Sequence, residues 1–221
     1  MIIECKNLTK SFSSGDSSNL VISNINLTVA NSEFVTINGP SGSGKTTLLN
    51  ILGLLDDADS GELIINGNLV ANRNRVKFCR ASTIGFLFQN HYLIPQLTLF
   101  ENVLLATQVI KQEIQKDEIL SVFESMNLVD IADSYPHHVS GGECQRAAFI
   151  RSIINKPKIV IADEPTGNLD FINTKLLIDI ILKYNNDHNV AFLVATHDNC
   201  ITKVSNKRLY IENSKLLKSK D

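Results

Sequence analysis

Nothing in the sequence pairs its cysteines. Cys5, Cys79, Cys144 and Cys200 are widely spaced and none belongs to a Cys-x-x-Cys pair. That argues against a disulfide framework or a zinc site and for free thiols in a reducing cytosol. Long apolar runs are also missing. Stretches such as Val190 to Ala195 fall far short of the roughly 20 residues a membrane helix needs, so any membrane role has to come through a partner. Neither sign of charge prevails: 21 Lys and Arg stand against 23 Asp and Glu, so nothing in the balance points to a dedicated nucleic-acid surface. Lys215, Lys218 and Lys220 read as a modest, solvated basic tail. No internal repeat or low-complexity linker is evident. The opening residues read as a strand rather than a signal peptide. The 221 residues suit one domain, with room for an inserted subdomain.

What the chain does contain is two short stretches, each able to hold a phosphate. Gly39-Pro40-Ser41-Gly42-Ser43-Gly44-Lys45-Thr46 fits G-x-x-x-x-G-K-[ST], in which glycines let successive backbone N–H groups curl around an anion. It follows the strand-like run Glu33 to Ile37 and precedes a helix-like run, Lys45 to Leu55, the context that the motif needs. At average residue usage the four fixed positions match by chance in about one chain in a hundred of this length, so a bland glycine turn is a poor account. The second stretch is Ser140-Gly141-Gly142-Glu143. It reads as a capping box opening a helix from Glu143 to Ile154. Two glycines there weaken the helix but let backbone approach an anion, so cap and anion site are compatible.

The rest of the chain divides into three parts. The first is β-rich: Ile2 to Phe12 and Val21 to Val29 alternate like strands around a polar turn at Ser13 to Asn19, and Asn66-Gly67 closes a hairpin after Glu62 to Ile65. Ile84 to Phe88 is a short buried strand. From Gln89 to Ser140 the pattern turns helical, with a capping box at Thr98 to Glu101 and Leu99, Val103, Ala106 and Ile110 at helical spacing. Ile119, Phe123 and Met126 share a second apolar face. This segment, about 90–140, reads as a helical subdomain inserted into an α/β core. The last third alternates strand and helix: Ile159 to Ala162, Asn173 to Tyr184, Val190 to Ala195 and Arg208 to Glu212. The expected fold is α/β, a P-loop NTPase core with a mostly parallel sheet and an N-terminal antiparallel β subdomain.

Phosphoryl transfer needs charge neutralisation, a metal and a positioned water. Lys45 offers a point charge to the β- and γ-phosphates, Thr46 a hydroxyl to Mg²⁺, and the following helix its N-terminal dipole. Asp163 and Glu164 end the apolar run Ile159 to Ala162. Asp163 would face the metal and Glu164 would act as general base. Such a pair alone is more often a solvated strand end; beside a phosphate loop the functional reading prevails. His197 follows a strand on the same edge, where a γ-phosphate contact is open to it.

In this order, the pieces resemble the nucleotide-binding subunit of an ATP-binding cassette (ABC) ATPase over essentially the whole chain. Gly39 to Thr46 matches the Walker A motif, Gln89 the Q-loop, Val139 to Arg146 the signature motif and Ile159 to Glu164 Walker B. Gly167-Asn168-Leu169-Asp170 matches the D-loop and His197 the switch histidine, while Phe12 stands where an aromatic stacks on adenine. The resemblance implies two subunits packed head to tail around two ATP molecules with Mg²⁺. Phe12, Gly39 to Lys45, Thr46, Thr47, Ser140, Gly141, Gly142, Glu143 and Asp170 would bind nucleotide. Thr46, Gln89 and Asp163 would hold the metal, and Glu164, His197 and Gln89 would serve catalysis. It further implies integral membrane permease subunits as partners, no nucleic acid, and a peripheral place on the cytoplasmic face of the inner membrane.

Val139 replaces the usual leucine, Phe12 a more typical tyrosine and Cys144 a glutamine. Near a helix start Cys144 is either a reactive thiol or an inert buried one. Leu54-Leu55-Asp56, Pro95 to Val103 and Ala162 to Asp170 look most like the branch of lipoprotein-releasing and macrolide-exporting ATPases. A division ATPase regulating cell-wall hydrolysis is the alternative. A soluble cassette ATPase of DNA or ribosomes is disfavoured, because neither a coiled coil nor a second cassette is present.

Overall fold

Alternating residues on the long N-terminal strands set up a curled antiparallel sheet. The computed structural model describes residues 1–14, 17–70, 82–110 and 114–218; Cys79 and Lys220 lie outside them. Strands β1 (Ile3–Ser14) and β2 (Ser17–Val29) pair antiparallel, and β4 (Ser60–Ile65) and β5 (Asn68–Leu69) complete the order β2-β1-β4-β5. The two long strands run further than their composition predicts. Backbone pairing continues through Phe12↔Asn19, Ser13↔Ser18 and Ser14↔Ser17, so most of the expected polar turn is strand. Serine-rich sequence hid this, because nothing apolar marks a strand end that projects from the core.

The second sheet follows the order β10-β9-β3-β8-β7-β6. It comprises β3 (Phe34–Asn38), β6 (Ile84–Phe88), β7 (Ile159–Asp163), β8 (Ala191–Ala195), β9 (Lys207–Glu212) and β10 (Lys215–Lys218). From β9 to β6 every pairing is parallel; β10 joins antiparallel. The last strand was not expected. Asn213 and Ser214, at φ 48° and 63°, make a two-residue hairpin turn of the type that glycine usually advertises. Lys215 and Lys218 are therefore strand residues, not a free tail.

Both faces of the parallel sheet are buried, and the period of two sorts its residues between two cores. Val35, Ile37, Ile161, Leu193 and Leu209 join helix α1 (Lys45–Leu52) and the antiparallel sheet on one side. Phe34, Val160, Ala162, Phe192 and Val194 face the remaining helices on the other. Among those are α2 (Leu99–Val109), α3 (Lys116–Ser125), α4 (Gly141–Ile153) and α5 (Phe171–His188). Leu99, Val103, Ile119 and Phe123, from the segment between β6 and β7, are buried in that second core beside Phe149 and Phe192. The capping box of α2 is present in full, with Thr98 Oγ1 accepting from Glu101 N and Glu101 Oε2 accepting from Thr98 N.

Helix ends depart from the periodicity by a turn or less. α1 stops at Leu52, short of Leu55, because Leu54 adopts a left-handed backbone (φ 61°) and the Leu55 and Asp56 N–H groups turn back to Asn50 O. α4 starts two residues before Glu143 because Ser140 is its cap. α5 starts at Phe171, where Asp170 caps it, and runs to His188 before a left-handed Asn189 (φ 54°). A short helix, α6 (Asn199–Val204), capped by Asp198, carried no periodic signal.

Candidate active site

The carboxyl ends of β3, β6, β7 and β8 meet at one cleft of about 750 Å³. Phe12, Gly39, Pro40, Ser41, Gly42, Gly44, Lys45, Thr46, Thr47, Gln89, Asp163, Glu164 and His197 line it. Ligands of parallel α/β sheets bind at this edge, where strand ends and helix N-termini converge. The loop between β3 and α1 wraps the mouth. Gly44, at φ 99°, is the residue from which α1 starts, and a Cβ there would lie 2.9 Å from Val21 O. Only glycine turns the chain into the helix at this point.

Lys45 Nζ donates to Gly39 O at 2.8 Å and Pro40 O at 3.0 Å. An ammonium has three donors, so one is left for a phosphate oxygen. Ser43 Oγ is buried with no partner, an orphaned hydroxyl inside a loop built for anions. Thr46 Oγ1 donates to Asp163 Oδ2 at 2.7 Å, placing two hard oxygens side by side, and the Gln89 amide lines the same cleft. Hard oxygen donors suit Mg²⁺. Among the described residues no three His, Cys, Asp or Glu side chains gather into a metal cage, so phosphate and water oxygens would complete the coordination. The residues fit a magnesium–nucleotide complex.

Burial pushes the Asp163 carboxyl above its usual range, and neighbouring Glu164 adds to this; the Thr46 hydroxyl and Lys45 oppose it. The folded protein thus binds a proton more readily than the unfolded chain. Stability falls as pH rises from the unfolded pKa through the folded one, and stays lower above it. Asp163→Asn removes that cost while its amide oxygen still accepts from Thr46. We expect a higher Tm for nucleotide-free Asp163→Asn than for wild type at pH 7 by scanning calorimetry, and a difference that shrinks on acidification.

Glu164 follows Asp163 with φ 46°. Its N–H donates to Ala195 O at 2.8 Å, which fixes it over the end of β8. Glu164 Oε2 meets His197 Nδ1 at 2.9 Å and accepts the His197 backbone N–H at 3.3 Å. The carboxylate side chain is 17% exposed and the imidazole 76%, so acid and histidine form a pair whose outer member faces solvent. Phe12 is 46% exposed at the rim, with Lys10 Nζ 5.3 Å above its ring. Gln89 Nε2 donates to Asn168 Oδ1 at 3.2 Å, joining the ends of the β6 and β7 loops.

Ser140, Gly141, Gly142, Glu143 and Asp170 do not line this cleft. Ser140 and Glu143 form a complete capping box, in which the Ser140 hydroxyl and N–H both donate to Glu143 Oε2 at 2.7 Å. Those two bonds hold the Glu143 carboxyl below its usual range, the hydroxyl contributing most. Gly142 packs against the Asn173 side chain so closely that a Cβ would collide with it. Asn173 in turn donates its N–H and its amide to the two Asp170 oxygens, at 2.8 and 2.9 Å, and its backbone N–H, then its amide, keep the Asp170 carboxyl low.

Cys144 resolves in favour of the inert alternative. It is buried and its thiol donates to Pro136 O at 3.3 Å, while burial, then Glu143, push its pKa up. A thiol in that state is not a nucleophile. Cys200 is exposed. Maleimide should therefore modify Cys200 in the native protein and Cys144 only after denaturation, as read by peptide mass spectrometry.

A phosphate loop after β3, a strand-end acid pair and a capped glycine stretch on a separate helix define a P-loop nucleotide-binding cassette. The sequence profile of the family described as ABC transporter matches residues 22–167, and the chain belongs to that family. It is 37% identical over 220 residues to the lipoprotein-releasing system ATP-binding protein LolD of Buchnera aphidicola subsp. Acyrthosiphon pisum, covering 98% of this chain and 96% of that one. It is 36% identical to the ATP-binding protein HrtA of Staphylococcus haemolyticus, covering 98% and 99%. The ATP-binding cassette MJ0796, solved as a dimer in a post-hydrolysis state with ADP and Pi, superposes with a TM-score of 0.90 at 31% identity over 99% of both chains.

Proposed function

We propose that this subunit hydrolyses ATP between two copies of itself and passes the resulting motion to integral membrane subunits. Lys45 and the Gly39 to Thr47 loop hold the phosphates, and Phe12 stacks on the base. Thr46, Asp163 and Gln89 hold Mg²⁺, which would screen the phosphate charge. Glu164 takes a proton from the attacking water, and His197 contacts the γ-phosphate. The observation that carries the reading is the separation of the two phosphate-ready stretches. Ser140 to Gly142 stand outside the cleft that Lys45 lines, as expected of a lid that closes over the partner's nucleotide. Asp170 then lies at the seam between the two sites, and MJ0796, solved as a dimer with ADP and Pi, supports a two-copy assembly.

Among the described residues no helix is long and apolar enough to cross a membrane. We place this subunit on the cytoplasmic face of the inner membrane, with residues 90–140 as a helical subdomain that meets the permease. A groove of about 510 Å³ lined by Phe86, Phe88, Tyr92 and Val109 opens beside Gln89 and offers an apolar seat for such a partner. Relatives named for lipoprotein release favour extraction or export as the work done. The test is isolation from native membranes: an integral membrane protein should be the stable partner, and retention on ribosomes or DNA would overturn the reading.

A further inference from the structure

β6 and β7 run in parallel register up to the pair Phe88↔Asp163, and beyond it the two chains part. The next residues are Gln89 and Glu164, so the metal ligand and the base proposed above stand just past the last rung of the ladder, where no strand partner fixes their spacing. A third element bridges the gap. Gln145, on α4 and only 3% exposed, donates from Nε2 to Phe88 O at 2.8 Å and to Pro165 O at 2.9 Å. A primary amide has two N–H donors in a fixed fork, and here each is spent on a carbonyl adjoining one of the two functional residues. Arg151, further along the same helix, donates to Tyr92 O and His91 O, each at 2.7 Å. The segment 88–92 thus hangs from α4 on both sides of Gln89.

We propose that Gln145 is a positioning residue for ATP hydrolysis, setting the distance between Gln89 and Glu164; this rests on the roles just given to those two. The link has a direction. α4 begins at Gly141 under the Ser140 cap, and Gln145 lies on the turn that follows Gly142. Seating the lid on a partner's nucleotide therefore shifts, through one rigid helix, the fork that holds the subunit's own Gln89 and Glu164. A buried amide serves better than water here, because water would satisfy the two carbonyls without fixing their separation.

Gln145→Met keeps the side-chain length and removes both donors. Its kcat should fall about ten- to a hundredfold, the cost of a misplacement near 1 Å. Affinity for a fluorescent ATP analogue without metal should stay at the wild-type value, since Lys45 and its loop are untouched. Combined with Gln89→Ala or with Glu164→Gln, the losses should be less than multiplicative. An unchanged kcat, or full multiplicativity with both partners, overturns the proposal. Should Gln145→Met not fold, Gln145→Glu decides. Its carboxylate faces two carbonyls, burial raises its pKa, and protonation restores one donor. The ratio of its kcat to that of wild type should climb as pH falls, and a flat ratio overturns the proposal. Full activity in Lys45→Ala would instead mark failure of the nucleotide reading, a result that no Gln145 variant produces.

Discussion

Glu164→Gln is expected to bind ATP, hydrolyse it about 10²–10⁴ times more slowly than wild type, the usual worth of a positioned general base, and accumulate as a nucleotide-bound dimer. The substitution is gentle on structure. An amide oxygen still accepts the His197 N–H that Glu164 Oε2 now accepts, and the backbone bond to Ala195 O is unaffected. What disappears is the capacity to take a proton from water. In the proposed cycle binding closes the seam and hydrolysis opens it, so blocking the second step while sparing the first should shift the population to the closed form. Single-turnover kinetics and light scattering read the two halves separately. A monomeric, fully active variant overturns the assignment of the base.

Lys45→Ala should abolish hydrolysis to the limit of detection, a loss of at least about 10²–10³ judged from removal of one charge-stabilising group at a reacting centre. The ammonium stands at the mouth of the cleft, held by Gly39 O and Pro40 O, and it is the cation of the phosphate loop itself. Its removal leaves the phosphate loop with only backbone N–H groups and the α1 dipole, which position an anion without neutralising it, so Mg²⁺ would be the one full positive charge left against the phosphates. The fold should survive, because α1 packs through Leu48, Leu49, Ile51 and Leu52, none of which touches the change in charge. An unaltered Tm with loss of fluorescent-nucleotide binding is the expected result. Retained ATPase activity would remove the cleft from the chemistry.

Much of this architecture was readable in the chain because it is local or periodic. Continuous apolar strands such as Ile159 to Ala162 announced a sheet covered on both faces, and the glycine spacing around Lys45 announced the loop. Capping boxes at Thr98 and Ser140 were legible because each bond spans three residues. The illegible parts depend on partners remote in sequence or on turns without their usual glycine. β10 hid behind Asn213 and Ser214, and the length of the first hairpin behind its serines. The state of Cys144 was set by Pro136 O and by burial, which no helix-start argument supplies. Gln145 lies inside the stretch matched to the signature motif but was given no role there, since its task becomes visible only when Phe88 and Pro165 arrive beside it.

The backbone at Glu164 has a further consequence. A residue with a Cβ held at φ 46° costs on the order of 1–3 kcal/mol, and the raised Asp163 carboxyl adds its own burden beside it. Glycine at 164 and asparagine at 163 would relieve both. A laboratory selection that rewards heat resistance alone would then enrich sturdy, inert variants at these two codons among others. Any directed-evolution campaign on this chain therefore has to screen for turnover at every round.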